Sequence, residues 1–430
     1  MNQSLEYPRF RWLILSAVVI AFTGAQVTGM SVSPVLSVIA ESLRINIGTA
    51  SNVALTSSMF SGTLMMVLVG GAICDRYGVL VAVMAGALCS ALQSTLMPWL
   101  GLSASGLFWA RIGQGCAAGF LFTAIGAVVG VWFPTREKGL AGGLMSAAIA
   151  AGSALGMVAG PAVLQYVGDW RTMCVWMSPV SWAAFLFALV LALIPNQKPP
   201  LQPAKEESSS NSAIYRKALF SRLTFIGVAV CFMAQWGTNG LYAMTAPYLA
   251  TARPVGVGYG PLAAGQLMLG VTLLGGIIGP IFGGFLLDKA FRGNSKAVFL
   301  IGFSLLCLCT YGLTVHWIVG RVGPLEVLLI FGGFGLQFIS TTIFYFIARA
   351  YPTQIVGKMS GIWMGLGTFG GVLGLYLGGL TIKSQGTYRA TLLMQSFSAL
   401  IGFLLVFCLA AVHKSGKRAL AAEELSELPT

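Results

Sequence analysis

Residues 70–79 read GGAICDRYGV, and residues 283–292 read GGFLLDKAFR. In each, a long apolar run ends in an acid–base pair, and apolar sequence resumes within a few residues. The recurrence belongs to a longer register. A shift of 213 carries Gly24 onto Gly237, Gln26 onto Asn239, Pro34 onto Pro247, Gly62 onto Gly275, Gly71 onto Gly284 and Asp75 onto Asp288. A shift of 218 carries FPTREKG (133–139) onto YPTQIVG (351–357), and Gly143, Gly152, Gly156 and Gly160 onto Gly361, Gly370, Gly374 and Gly378. The register changes because the connector KAFRGNSK is longer than RYGV. Agreement of so many glycines in series reads as a duplication.

Composition names the solvent. The chain has 430 residues, 57% hydrophobic and 9% charged. A water-soluble domain cannot cover that much apolar surface, so these residues face lipid. Each crossing needs about 20 apolar residues, and the breaks leave twelve runs, near 11–36, 48–73, 79–100, 104–131, 139–166, 171–194, 222–249, 260–287, 297–317, 323–348, 356–383 and 388–412. They are far longer than the ~10-residue alternating strands of a membrane barrel, so the expected fold is all-α and polytopic. Six crossings per copy is an even number, so both copies enter the membrane in the same sense. That gives two six-helix parallel repeats about a central cavity, the architecture of a rocking transporter. The expected division is 1–194 for the first half, 195–221 for a Pro-, Ser- and charge-rich linker, 222–413 for the second half and 414–430 for a polar tail.

Basic residues orient the bundle. With the N-terminus inside, eighteen Lys and Arg fall in inner connectors and six in outer ones, which places both termini in the cytoplasm of an inner (plasma) membrane. The net charge of +13 forms no aromatic-interleaved patch, so no nucleic-acid partner is expected. The eight cysteines lie in or beside apolar runs without a histidine at metal-ligand spacing, and read as small packing residues. No metal, cofactor or nucleophile–base pair is indicated, so the chain is not read as an enzyme.

These residues resemble the major facilitator superfamily over essentially the whole chain. Gly71, Asp75, Arg76 and Gly78 match its Gly-x-x-x-Asp-Arg-x-Gly loop after the second span, although Val79 and Leu80 stand where basic residues are usual. Arg111, Gln114 and Gly115 match its fourth-span Arg-x-x-Gln-Gly. The stretch WGTNGLYAMTAPYL (236–249) and the WFP loop look like bacterial organic-anion transporters of the anion:cation symporter type, whereas the first-span stretch FTGAQVTGMSVSP lacks their arginine. The resemblance implies a monomeric transporter of a small solute by alternating access, either facilitative or secondary active by symport with a proton or sodium ion, and a cavity lined by the first, fourth, seventh and tenth spans.

No carboxylate or histidine falls mid-span, which disfavours a direct proton relay and export of cationic drugs. Arg111 is the one charge deep in a span. It reads either as a structural partner of backbone carbonyls or as an attractor of an anionic solute. Candidate solute-binding residues are Gln26, Arg111, Gln235, Trp236, Asn239, Tyr242, Gln337, Thr341 and Tyr345. Candidate gating residues are Gly71, Asp75, Arg76, Gly78, Arg136, Lys138, Gly284, Asp288 and Lys289. The four-residue glycine series Gly152, Gly156, Gly160 and Gly370, Gly374, Gly378 are expected to form a sliding face between the halves. The function expected is transport of a small polar, anionic organic solute, with export of drugs or hydrophobic metabolites as the alternative.

Overall fold

The computed structural model describes residues 9–134, 137–194, 215–351 and 355–426. Most of the expected linker, 195–214, lies outside the described residues. Twelve helical rods follow one another: α1 (Arg11–Met30), α2 (47–77), α3 (Val79–Thr95), α4 (Ala104–Trp132), α5 (Lys138–Val167), α6 (Trp170–Ala192), α7 (222–250), α8 (Pro261–Ala290), α9 (Ser295–Gly312), α10 (Val322–Ala350), α11 (Val356–Gln385) and α12 (Arg389–Ser426). Among the described residues, nine of these are long and apolar enough to cross a membrane by length and composition. Two of the other three have local reasons: Gln235, Thr238 and Asn239 dilute α7, and α3 has 17 residues.

The packing repeats as the sequence does. In the first half α1 lies on α5 and α6, α4 on α2 and α3, and α3 on α6; in the second α7 lies on α11 and α12, α10 on α8 and α9, and α9 on α12. The ends of the matched helices also agree. Gly168 closes α5 at φ 73° and Gly386 closes α11 at φ 69°, each amide donating back four residues, to Leu164 at 2.8 Å and Ile382 at 2.9 Å. A left-handed residue ends a helix cheaply only as glycine. Gly78, at φ 88° and ψ 163°, does the same work between α2 and α3.

One site shows how the copies diverged. In the first half the Arg11 guanidinium donates to Glu137 at 3.0 Å and lies 5.9 Å from the centroid of the Phe133 ring. The matched positions in the second half are Thr224, Ile355 and Tyr351, and there the Thr224 and Tyr351 hydroxyls share a hydrogen bond of 2.7 Å. An ionic clamp in one copy is a neutral clamp in the other.

The halves meet mainly at the end away from the termini. There α2 packs on α11 and α5 on α8. A Cβ on Gly48 would strike the Gly379 carbonyl and the Lys383 backbone, and one on Gly265 the Met157 carbonyl. One buried apolar cluster crosses this seam, joining Val35, Ile39 and Ala54 to Met244, Leu375 and Ile382. At the terminus-bearing end, 71–77 packs on α3 and α4 of its own half, and 286–290 on α9 of its own half. A Cβ on Gly143, Gly284 or Gly361 would meet nothing within 4 Å. The bundle is closed at one end and parted at the other.

At the closed end Asp169 caps α6. Its carboxylate accepts from the Thr172 amide and hydroxyl, each at 3.0 Å, and from Arg171 at 3.2 Å. Partial burial alone would raise its pKa, but the Thr172 and Arg171 hydrogen bonds outweigh that and hold it below the ordinary carboxylate value. A depressed folded-state pKa gives stability that is present above the unfolded pKa and is lost as pH falls through the folded one. Thermal melts of the wild type should therefore lose more on acidification below the carboxylate range than melts of Asp169→Asn, which keeps a capping side chain without the charge. Equal acid limbs would contradict the assignment.

Candidate functional site: the central cavity and its closed end

Two prolines at matched positions set the local geometry. Pro34 lacks an amide hydrogen and disfavours helix in the residue before it, so α1 stops at Met30 and helix resumes only over Leu36–Ser42. In an unbroken helix the Gly29 carbonyl would accept from the Ser33 amide. That amide instead reaches the Met30 carbonyl at 3.3 Å. In the second half Pro247 withholds the donor due to the Ala243 carbonyl, and the backbone takes a π turn over Gly240–Met244.

A carbonyl released inside hydrocarbon costs several kcal/mol unless it finds another donor. Both find one. The Ser33 hydroxyl donates to the Ala243 carbonyl at 2.9 Å, from one half to the other. Arg111 donates from Nη2 to the Gly29 carbonyl at 3.1 Å, and from Nε to the Ala54 carbonyl, within the π turn Asn52–Thr56 of α2, at 2.8 Å. Arg111 is 3% exposed and is the only charged side chain buried among the described residues. Its Nη1 has no hydrogen-bond partner there. One turn along α4, Gln114 donates to the Ala25 carbonyl at 2.7 Å and accepts from Gln93 at 2.6 Å and Thr28 at 3.1 Å. Thr28 shares a hydrogen bond with Ser90, and Ser90 with Ser181, so α1, α3, α4 and α6 are tied by one buried polar network.

The other expected solute-binding residues fall into three groups. Gln26 donates to Ser153 of α5 at 3.2 Å, and Asn239 packs against Gly371 of α11 while donating to the Gln235 carbonyl at 2.9 Å. Ser153 and Gly371 are themselves a matched pair, so both polar residues sit at the same crossing of their half. Tyr242 and Gln337 come together between α7 and α10. Thr341 faces Gly283 of α8, and Tyr345 carries the Arg349 guanidinium 5.1 Å from its ring. Trp236 stands apart: it lines a lateral groove with Cys307 of α9 and Leu393 of α12. Arg111 lies in the wall of the first half, on carbonyls of α1 and α2.

The expected sliding face is corrected by the structure. A Cβ on Gly152, Gly156 or Gly160 would strike α1 at Thr23, Val27 or Ser31, and one on Gly370 or Gly374 would strike α7 at Phe232 or Trp236. Beside Gly378 stand Thr391 of α12 and Met244 of α7. The series therefore brings helices together within each half. The contacts between halves use other small residues, Gly48, Gly265, Gly276 and Gly379.

Of the expected gating residues, Gly71 begins the last segment of α2 and Gly78 ends it; Arg76 is exposed with its guanidinium 5.3 Å from the Tyr77 ring. Asp288 and Lys289 are exposed at the parted end, and the Lys289 ammonium lies 5.8 Å from the Phe285 ring. Arg136 and the side chains of Asp75 and Lys138 lie outside the described residues. Sequence reasoning missed Ser33. Its signal was the dipeptide with Pro34, which puts a donor beside a broken helix.

The Major Facilitator Superfamily model matches residues 14–289 and again 255–429. The chain belongs to the Major Facilitator Superfamily. Curated relatives include "Putative glycerol-3-phosphate transporter 2" of Arabidopsis thaliana, 23% identical over an alignment of 360 residues that covers 71% of this chain and 69% of that protein. "Probable anion transporter 3, chloroplastic" of Oryza sativa is 22% identical over 371 residues, 79% and 68% of the two chains. "Probable anion transporter 4, chloroplastic" of Arabidopsis thaliana is 28% identical over 148 residues, 34% and 27%. As a superfamily member the chain is a multi-pass membrane transporter of small solutes and not an enzyme.

The Ser33–Ala243 bond can be tested on its own. Interhelical hydrogen bonds in membranes average about 0.6 kcal/mol, so Ser33→Ala should shift the population toward opening at this end by about threefold. Spin labels at Glu41 and Ser384, both exposed there on opposite halves, should show a larger long-distance fraction in the variant. An unchanged distance distribution would refute the coupling.

Proposed function

We propose that this transporter carries a small organic anion, of the phosphate-ester or carboxylate class, by alternating access through the cavity between its halves. The observation that carries the reading is the sign of the buried charge: among the described residues the single buried charged side chain is the cation Arg111. Relatives named as glycerol-3-phosphate and anion transporters point the same way, and none favours drug export. In this reading Arg111 is a positioning residue. It holds the α1 break and the α2 π turn through two carbonyls, and its charge sets the sign of the field felt in the cavity. Gln26, Asn239, Gln235, Tyr242, Gln337, Thr341 and Tyr345 supply neutral hydrogen-bonding groups to the solute. The membrane is the plasma membrane, both termini are cytoplasmic, and the parted end therefore faces the cytoplasm.

Uptake into proteoliposomes tests the class. Organic phosphates or carboxylates should be taken up or exchanged, and neutral or cationic analogues should not; imposed proton and sodium gradients would identify the coupling ion. Arg111→Lys should keep more transport than Arg111→Ala, since an ammonium retains the charge and one donor. Normal transport by Arg111→Ala would overturn the role given to this residue.

We assign Asp75 and Asp288 to a latch at the parted end, closed when the transporter faces outward. A carboxylate at the positive end of a helix contributes about 0.3–1 kcal/mol. Asp75→Asn should accordingly slow exchange while leaving the order of preferred solutes unchanged. A reordered solute preference would remove the residue from the gate.

A further inference from the structure

Beside the closed seam, a groove of about 600 Å³ runs between α2 and α11 with α4 and α7 as its walls. Aromatic side chains dominate it: Phe60, Phe108, Phe232, Phe369 and Tyr376, with Val372 at its floor. Phe60, Phe108 and Tyr376 are exposed, and the exposed side of α11 here, Leu366, Leu373, Tyr376 and Leu380, is apolar, which suits a surface turned to lipid. Its lining has a direction. Phe369, Tyr376 and Lys383 are spaced by seven, which keeps them on one stripe of α11 and sets successive residues about 10.5 Å apart along the axis. The stripe is apolar in the groove and ends in an exposed cation above it. Arg44, exposed on the turn leading into α2, adds positive charge at the same end. Glu41 is exposed three residues earlier, but among the described residues it makes no ion pair with Lys383 or Arg44.

We propose that this groove is a lipid site, holding an acyl chain of an anionic phospholipid whose phosphate pairs with Lys383. The apolar channel matches the chain and the cation at its membrane-surface end matches the phosphodiester. A long lysine side chain reaching from an apolar stripe to the headgroup layer is the expected geometry for such a contact. Because α2 and α11 form the closed seam here, the bound lipid spans both halves and stabilises this closure.

Native mass spectrometry of the full chain, after equal exposure to phosphatidylglycerol and phosphatidylcholine of matched chains, tests the site. The wild type should retain phosphatidylglycerol severalfold over phosphatidylcholine. Loss of one basic residue at a membrane surface is worth about 1 kcal/mol, so Lys383→Gln should reduce that preference about fivefold. Arg321→Gln, which removes another exposed cation at the same end of the bundle on the flank of α10, should leave it unchanged. Val372→Trp, which fills the groove, should reduce retention of both lipids. Equal retention of the two lipids by the wild type would overturn the proposal, as would an equal loss in Arg321→Gln and Lys383→Gln, or full retention in Val372→Trp. Lys383 and Arg321 are exposed, so that comparison stands even if the tryptophan variant does not fold.

Discussion

Two helix breaks in this bundle release carbonyls that hydrocarbon cannot satisfy, and much of the polar architecture follows from that constraint. Pro34 and Pro247 are the sources. The Gly29 carbonyl is taken up by Arg111, which also holds Ala54 in the π turn of α2. The Ala243 carbonyl is taken up by Ser33, so the break in one half is sealed by the break in the other. A buried guanidinium is costly in lipid, but here it satisfies two carbonyls in places where water cannot reach. The same prolines that permit bending thereby determine where the halves must be joined when this end is shut.

The duplication, the twelve rods and the even number of crossings per half were legible in the sequence because helices in lipid are long and apolar, and because glycine and proline mark their ends. Gly168 and Gly386 close matched helices as the 218-residue register implies. The glycine series on α5 and α11 was legible as a close-packing face but not as a face toward α1 and α7. Periodicity along a helix says which residues share a stripe; it does not say which neighbour the stripe meets. The same limit applies to Trp236, whose seven-residue neighbourhood is polar while its side chain faces the α9–α12 groove. Arg111 was recognisable as an exception, yet its partners are backbone atoms made available by a proline on a different helix, and no residue pattern announces those.

Asymmetry between copies is informative in the same way. Tyr242 and Gln337 come together between α7 and α10 in the second half, whereas the first half is tied together by the Gln93–Gln114–Thr28 network beside Arg111. One half carries the charge and a dense set of internal hydrogen bonds. Both halves carry π turns, in α2 of the first and in α7 and α8 of the second. The buried charge has gone to one of two halves that began with one packing scheme.

The clamps at the foot of each half extend that division to the surrounding solution. The Arg11–Glu137 pair is part-buried and ionic, so dissolved salt weakens it; the Thr224–Tyr351 pair is neutral and has no charge to screen. Two halves built on one plan therefore differ in their sensitivity to their medium. A rise in ionic strength loosens the clamp of the first half and leaves that of the second as it was. Exchanging the two clamp sequences would carry that sensitivity with them.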